Sequence, residues 1–157
     1  MPTISDVMQK DVEVVRPDAT LREAIMVLCE GGISGAPVQA DNGKLVGIIS
    51  EYALMDVLFD PELKNAKVSD HMTPEVHSLT EEDTLTHAVH KFIIYGVRRL
   101  PVMRGEELVG IVSRRDLMRA CLDFEEPLVA PLQEFIPELA SKTAYAHDGI
   151  NELVDLA

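Results

Sequence analysis

The sequence predicts an α+β protein made of two copies of one small β-α-β-β-α unit, followed by a C-terminal extension. Three observations predict it. Sliding the 157-residue chain by 64 positions lays Ser5-Asp6-Val7-Met8 on Ser69-Asp70-His71-Met72, Thr20-Leu21 on Thr84-Leu85, and Pro37-Val38 on Pro101-Val102. Dropping one turn residue changes the shift to 63, which lays Leu45-Val46-Gly47-Ile48-Ile49-Ser50 on Leu108-Val109-Gly110-Ile111-Val112-Ser113, and Leu54-Met55 on Leu117-Met118. Within each copy the apolar spacing reads strand, helix, strand, strand, helix. A repeat of this period means two supersecondary units that share a core and enclose quasi-equivalent clefts. The divisions are a first repeat at 3–60, a linker at 61–68, a second repeat at 69–123 and an extension at 124–157.

Each element has its own signal. Residues 12–15 and 76–79 read as short strands. Asp18-Ala19-Thr20-Leu21 opens the first helix, with Leu21, Ala24, Ile25 and Leu28 at helical spacing. Thr20 followed by Glu23 is a capping-box pattern. Gly31-Gly32 ends that helix and Gly96 ends its counterpart. Strands follow at 36–39 and 45–50, joined by Asp41-Asn42-Gly43, a hairpin signal. The second copy has strands at 100–103 and 108–113 around Arg104-Gly105-Glu106-Glu107. Last come helices at 51–58 and 114–122, and the segment 59–67 is a polar connection. Residues 124–157 match neither unit. They carry Pro127, Pro131 and Pro137, which forbid one long helix, and seven acidic residues against the single Lys142. Phe135, Ile136 and Leu139 there are expected to pack along the repeats or along a partner copy.

Composition narrows the function classes. Hydrophobic residues make up 46% of the chain, enough for a sizeable core. No apolar run approaches the roughly 18 residues of a membrane span. The start, Met1-Pro2-Thr3-Ile4-Ser5-Asp6, lacks a signal-peptide pattern, so a cytoplasmic location is expected. The net charge of −13 argues against general nucleic-acid binding. Half of the 14 basic residues nevertheless fall between Lys91 and Arg119, which points to a small anionic ligand. Cys29 and Cys121 read as small buried hydrophobes, and Met55 and Met118 as core filling. His87 and His90 sit at i, i+3 on a helix but lack a third ligand at fixed spacing, so they read as an exposed polar face. There is neither a Walker-type phosphate loop nor a nucleophile elbow, and no metal site or turnover is expected.

The richest segment is Gly110-Ile111-Val112-Ser113-Arg114-Arg115-Asp116. A strand breaks there into a helix start, whose N–H groups suit an anion. Arg114 and Arg115 add fork-shaped donors. Asp116 can hold a vicinal diol by accepting two hydrogen bonds. Ser-x-x-Asp is also a capping pattern that needs no ligand. In the other copy the segment is Gly47-Ile48-Ile49-Ser50-Glu51-Tyr52-Ala53, where alanine stands in place of the aspartate. That helix should form anyway, so the fold does not demand Asp116.

Paired units with this Gly-Ile-Val-Ser-x-x-Asp segment resemble the CBS (cystathionine-β-synthase) domain, in tandem as a Bateman module. The resemblance covers residues 3–123. It implies two repeats packed through their sheets about a pseudo-twofold axis, leaving two clefts that bind adenosine compounds. Those compounds are AMP, ADP, ATP or S-adenosylmethionine, with the aspartate on the ribose hydroxyls. Carried over by position, one cleft combines Ile111, Ser113, Arg114, Arg115 and Asp116 with Lys10, Asp11 and Val12, and is completed by Ile33, Ser34, Gly35, Ala36 and Pro37. The mirror cleft pairs Ser50 and Ala53 with Thr73, Val76, Arg98, Arg99 and Pro101, and lacks the acidic acceptor. Arg98 and Arg99 fit either cleft by position. The resemblance also implies a homodimer. The expected function is a stand-alone regulatory module, with an effector protein as a further partner. The alternative is a dimerisation scaffold without nucleotide.

Overall fold

The computed structural model describes residues 1–125, 127 and 128. Two helices and one hairpin recur in each half. A short helix, α1 (Ile4–Val7), opens the first repeat. Helix α2 (Leu21–Gly31) starts as its sequence dictates: Thr20 Oγ1 accepts from Glu23 N at 3.2 Å, and Glu23 Oε2 accepts from Thr20 N at 2.9 Å. Gly32 ends it at φ 59°, a left-handed conformation that costs glycine nothing. Strands β1 (Gly35–Gln39) and β2 (Leu45–Ser50) form an antiparallel hairpin, and α3 (Glu51–Leu54) follows. The second repeat supplies β3 (Leu79–Thr80), α4 (Leu85–Tyr95), β4 (Arg99–Arg104), β5 (Glu107–Ser113) and α5 (Arg114–Ala120). The hairpins match in detail. Pro37 lies opposite Ile48 and Pro101 opposite Ile111, and each register shifts just beyond, at Val38/Gln39 and Val102/Met103. The structure is thus mixed α+β, with a two-stranded sheet, β1-β2, in the first repeat and a three-stranded sheet, β3-β4-β5, in the second.

Several expectations need correction. The strand expected at 12–15 is a single parallel bridge, Val15 to Val38, and the one expected at 76–79 is only Leu79–Thr80, paired parallel with β4. Pairing stops after Val15 because Pro17 has no N–H to offer the ladder. The helices expected at 51–58 and 114–122 tighten part-way into 3₁₀ turns, at Met55–Leu58 and Cys121–Asp123. The polar connection holds a 3₁₀ turn of its own, Pro61–Asn65. Cys29 and Cys121 are exposed, as are their repeat counterparts Ile93 and Leu58, because all four lie on outer faces. Met55 and Met118 are 51% and 64% exposed and do not fill the core. Met8 and Met72 pack there instead, on the residues preceding each repeat's strand. The expected packing of the extension through Phe135, Ile136 and Leu139 lies outside the described residues. Leu128, the last described residue, is buried against the second core.

The cores interlock. Ile4 and Met8, from the lead-in of the first repeat, pack into the core built by Leu79, Leu85, Phe92, Leu100, Val102, Val112 and Leu117 of the second. Val68 and Met72, from the lead-in of the second, pack into the core of the first. Backbone bonds fix the exchange. Gln9 N donates to Ile111 O at 2.9 Å and Ile111 N to Gln9 O at 3.0 Å. Thr73 and Ile48 make the equivalent pair at 2.8 and 2.9 Å. This crossing explains why both repeats keep a glycine in Gly-Ile-x-Ser. A Cβ on Gly47 would stand 2.6 Å from Met72 Sδ and 2.9 Å from Thr73 O. On Gly110 it would stand 2.5 Å from Met8 Sδ and 3.0 Å from Gln9 O.

Ile4 is fully buried although the repeat it stabilises begins about 65 residues later in the chain, roughly one unit of the period. Ile4→Ala should therefore destabilise the whole protein by about 2–5 kcal/mol. Urea unfolding followed by circular dichroism checks this, and a loss under about 1 kcal/mol would contradict the shared core.

Candidate functional site

The crossing places the lead-in of the first repeat beside the β5–α5 junction of the second, and a cleft of about 860 Å³ opens there. Ser113 stands at that junction as the N-cap of α5. Its Oγ accepts from Asp116 N at 3.2 Å, and Asp116 Oδ2 accepts from Ser113 N and from Ser113 Oγ, both at 2.7 Å. The capping box is thus real. The equivalent Ser50 caps α3 alone, accepting from Ala53 N at 3.3 Å, so a helix forms there without the acid. Asp116 Oδ1 points away from its own cap and accepts from Gln9 Nε2 at 3.0 Å.

Twelve of the expected residues line this cleft: Asp11, Val12, Ile33, Ser34, Gly35, Pro37, Arg99, Ile111, Ser113, Arg114, Arg115 and Asp116. Two do not. Ala36 is fully buried in the first core, because alternation along β1 turns it away from the cleft. Lys10 is exposed and turned to solvent, since its carbonyl engages Val12 N in a tight bend. Arg98 and Arg99, which fitted either cleft by position, both face the Asp116 cleft. Sequence reasoning missed Gln9, Glu13, Gly31, Gly32 and Met118 among its lining residues. Gln9 carried a readable signal: it aligns with Thr73 at the shift of 64, so the lead-ins differ in step with Asp116 and Ala53. Glu13 gave none, because its side chain lies over Gly31, a contact only the folded chain creates.

The four arginines are not equivalent. Arg99 is half-buried and spans the repeats. Its Nη1 donates to Gly35 O at 2.5 Å and its Nη2 to Ser34 Oγ. Burial pushes its pKa below the ordinary arginine value, with Glu51 opposing, Arg98 assisting and Asp116 opposing. It remains a cation at neutral pH. Arg98 lies 3.7 Å from Glu51 in an exposed ion pair, which contributes little to stability. Arg114 and Arg115 are exposed, and neither makes a salt bridge among the described residues. They are the guanidinium groups best placed to meet an anion. The seven residues of α5 add only a short helix start to them. Asp11, Glu13 and Asp116 bring three carboxylates into the same cleft. Elsewhere, His87 Nδ1 lies 3.0 Å from Asp83 Oδ1. Among the described residues no cluster of His, Cys, Asp or Glu could hold a metal ion, and no helix is long and apolar enough to cross a membrane.

A family model described as the CBS domain matches residues 4–60 and again 68–123. The chain belongs to the CBS-domain family. It is 32% identical over 121 residues to an uncharacterized 17.7 kDa protein of Acidianus ambivalens, covering 76% of this chain and 73% of that one. Other curated relatives are longer, and the chain spans 41% and 22% of two of them. Among solved structures it resembles CBSX2 in complex with AMP, at 31% identity and TM-score 0.71, covering 80% of this chain and all of that one. CBSX2 is a CBS-pair protein from Arabidopsis thaliana. It also resembles the CBS domain pair of protein MJ0100 in complex with 5′-methylthioadenosine and S-adenosyl-L-methionine. That likeness has 25% identity and TM-score 0.70, covering 78% of this chain and 98% of that one.

The contrast between the arginines can be tested without ligand. Arg99→Met removes two hydrogen bonds between CBS repeats from a charged, half-buried group and should cost about 1–3 kcal/mol. Arg115→Met alters an exposed side chain and should stay within about 0.5 kcal/mol of the parent. Paired thermal melts check this, and equal effects would contradict the strut role of Arg99.

Proposed function

We propose that the chain is a regulatory module that binds an adenine nucleotide of the AMP, ADP or ATP class in the Asp116 cleft, without turning it over, and signals through conformation or assembly. The observation that carries the reading is the difference between the two halves. Two hairpins with the same register lead into two capped helices, yet only one carries an acid at the fourth position. Capping does not require it, as Ala53 demonstrates. Oδ1 of Asp116 is turned out of the cap, toward the lead-in of the other repeat, where ribose hydroxyls could reach it. The AMP held by CBSX2 and the two adenosine ligands held by MJ0100 support this ligand class. The MJ0100 ligands make S-adenosylmethionine the alternative occupant within the same adenosine class. Four arginines against three carboxylates make the cleft only weakly cationic, which suits a ligand with few phosphates.

A scaffold that binds no nucleotide is the second reading. It is favoured by one specific observation: every hydrogen bond of Asp116 is explained inside the protein, by Ser113 and Gln9. Titration separates the two. Asp116→Ala should weaken nucleotide binding about 10- to 150-fold, equivalent to about 1.5–3 kcal/mol. It should also lower folding stability by about 1 kcal/mol through the lost cap. Isothermal titration of the parent should give one nucleotide per chain. Parent-like affinity in the folded Asp116→Ala variant would favour the scaffold, and two similar sites per chain would contradict the role given to Ala53.

We further propose a homodimer. Met55 and Met118 are equivalent positions, as are Phe59 and Leu122, and all four are exposed. Tyr52, Leu58 and Phe124 extend the apolar surface. Apolar groups repeated on the same outer face of both halves suit a partner with the same symmetry, and a second copy supplies it. Light scattering should return twice the chain mass of 17.3 kDa. A monomer would refute the dimer.

A further inference from the structure

Asp116 serves two elements at once. Its Oδ2 belongs to its own helix start, where Ser113 N and Oγ both donate to it at 2.7 Å. Its Oδ1 accepts from Gln9 Nε2 at 3.0 Å, across 107 residues of sequence. The main chain of Gln9 is held by its two bonds to Ile111. The exposed side chain is attached by three rotatable bonds and can turn without disturbing them. Thr73, the counterpart of Gln9, makes the same two backbone bonds with Ile48. The backbone pairing therefore needs no glutamine. A long amide occurs in the lead-in that faces an acid, and a short hydroxyl in the one that faces Ala53.

We propose that Gln9 sets the affinity of the cleft: its side-chain amide competes with the hydroxyl donors of the ligand for Asp116 Oδ1 and turns away when they bind. This rests on the nucleotide reading above. A vicinal diol offers two donors, and Oδ1 is the carboxylate oxygen outside the cap that can take them. Binding a diol exchanges the Gln9 hydrogen bond for the ligand's. A ligand without the diol leaves the Gln9 bond in place and gains nothing from its removal.

The test is isothermal titration of the full chain with AMP, ADP, ATP and 2′,3′-dideoxyadenosine monophosphate. Parent, Gln9→Ala, Asp116→Asn and the double variant are compared. Removing a competing hydrogen bond of ordinary strength should tighten AMP binding about 2- to 10-fold in Gln9→Ala. The dideoxy compound should show no gain, and the gain should vanish in the Asp116→Asn background. Asp116→Asn keeps an oxygen for the cap, so it guards against loss of folding. Weaker or unchanged AMP binding in Gln9→Ala overturns the competition, as does an equal gain for the dideoxy compound. A parent that binds none of AMP, ADP and ATP overturns the nucleotide reading itself, and this inference with it.

Discussion

The two backbone hydrogen bonds between Gln9 and Ile111, and their equivalents between Thr73 and Ile48, decide where almost everything else in this molecule lies. Each lead-in crosses to the hairpin of the other repeat and leaves Ile4 or Val68 fully buried there. Burying such a side chain contributes about 1.5–3 kcal/mol, so neither repeat is complete without the other's first residues. The glycines at 47 and 110 are the steric condition for this crossing, since the chain passes closer to them than a side chain allows. A cleft follows as a consequence. The lead-in must run past the strand-to-helix junction of the opposite repeat, and Asp11, Val12 and Glu13 become one wall while Ser113 to Asp116 become another.

One backbone thus offers two junctions, and chemistry distinguishes them. At the first, Ser50 caps a helix that continues with Glu51, Tyr52 and Ala53. At the second, Ser113 and Asp116 cap each other, and two arginines point outward beside them. The repeat counterparts of Ser34 and Gly35 are Arg98 and Arg99, and this replacement breaks the symmetry as much as the aspartate does. Arg99 reaches back to its own counterpart and its neighbour, donating to the Gly35 carbonyl and to Ser34 Oγ. Of the four guanidinium groups at the cleft, one is therefore committed to bonds between the repeats.

The repeat, the order of elements, the helix caps and the hairpins were legible because local chemistry specifies each of them. Thr20 with Glu23, and Gly32 and Gly96 at positive φ, do in the structure what their types require. The methionines and cysteines were misread because apolar character does not say which face of a short helix a residue occupies. Leu54 and Val57 take the inner face, so Met55 is left outside. The strands expected at 12–15 and 76–79 were overestimated because the pairing is carried by Val15 alone in the first repeat and by Leu79 and Thr80 in the second. In the cleft, residues aligned with the repeat pattern were legible. Glu13 was not, because its place over Gly31 depends on a crossing that no short-range signal encodes, and Gln9 was legible only through its mismatch with Thr73 in the repeat.

The central claim is that two matched strand-to-helix junctions differ in what they can bind through the acceptor at one helix start. A crystal structure of the chain grown with AMP tests it most directly. The account predicts one AMP per chain, in the Asp116 cleft, with ribose hydroxyls within hydrogen-bond distance of Asp116 Oδ1 and the Gln9 amide turned away. AMP in the Ala53 cleft, or in the Asp116 cleft with its ribose away from the carboxylate, would contradict it.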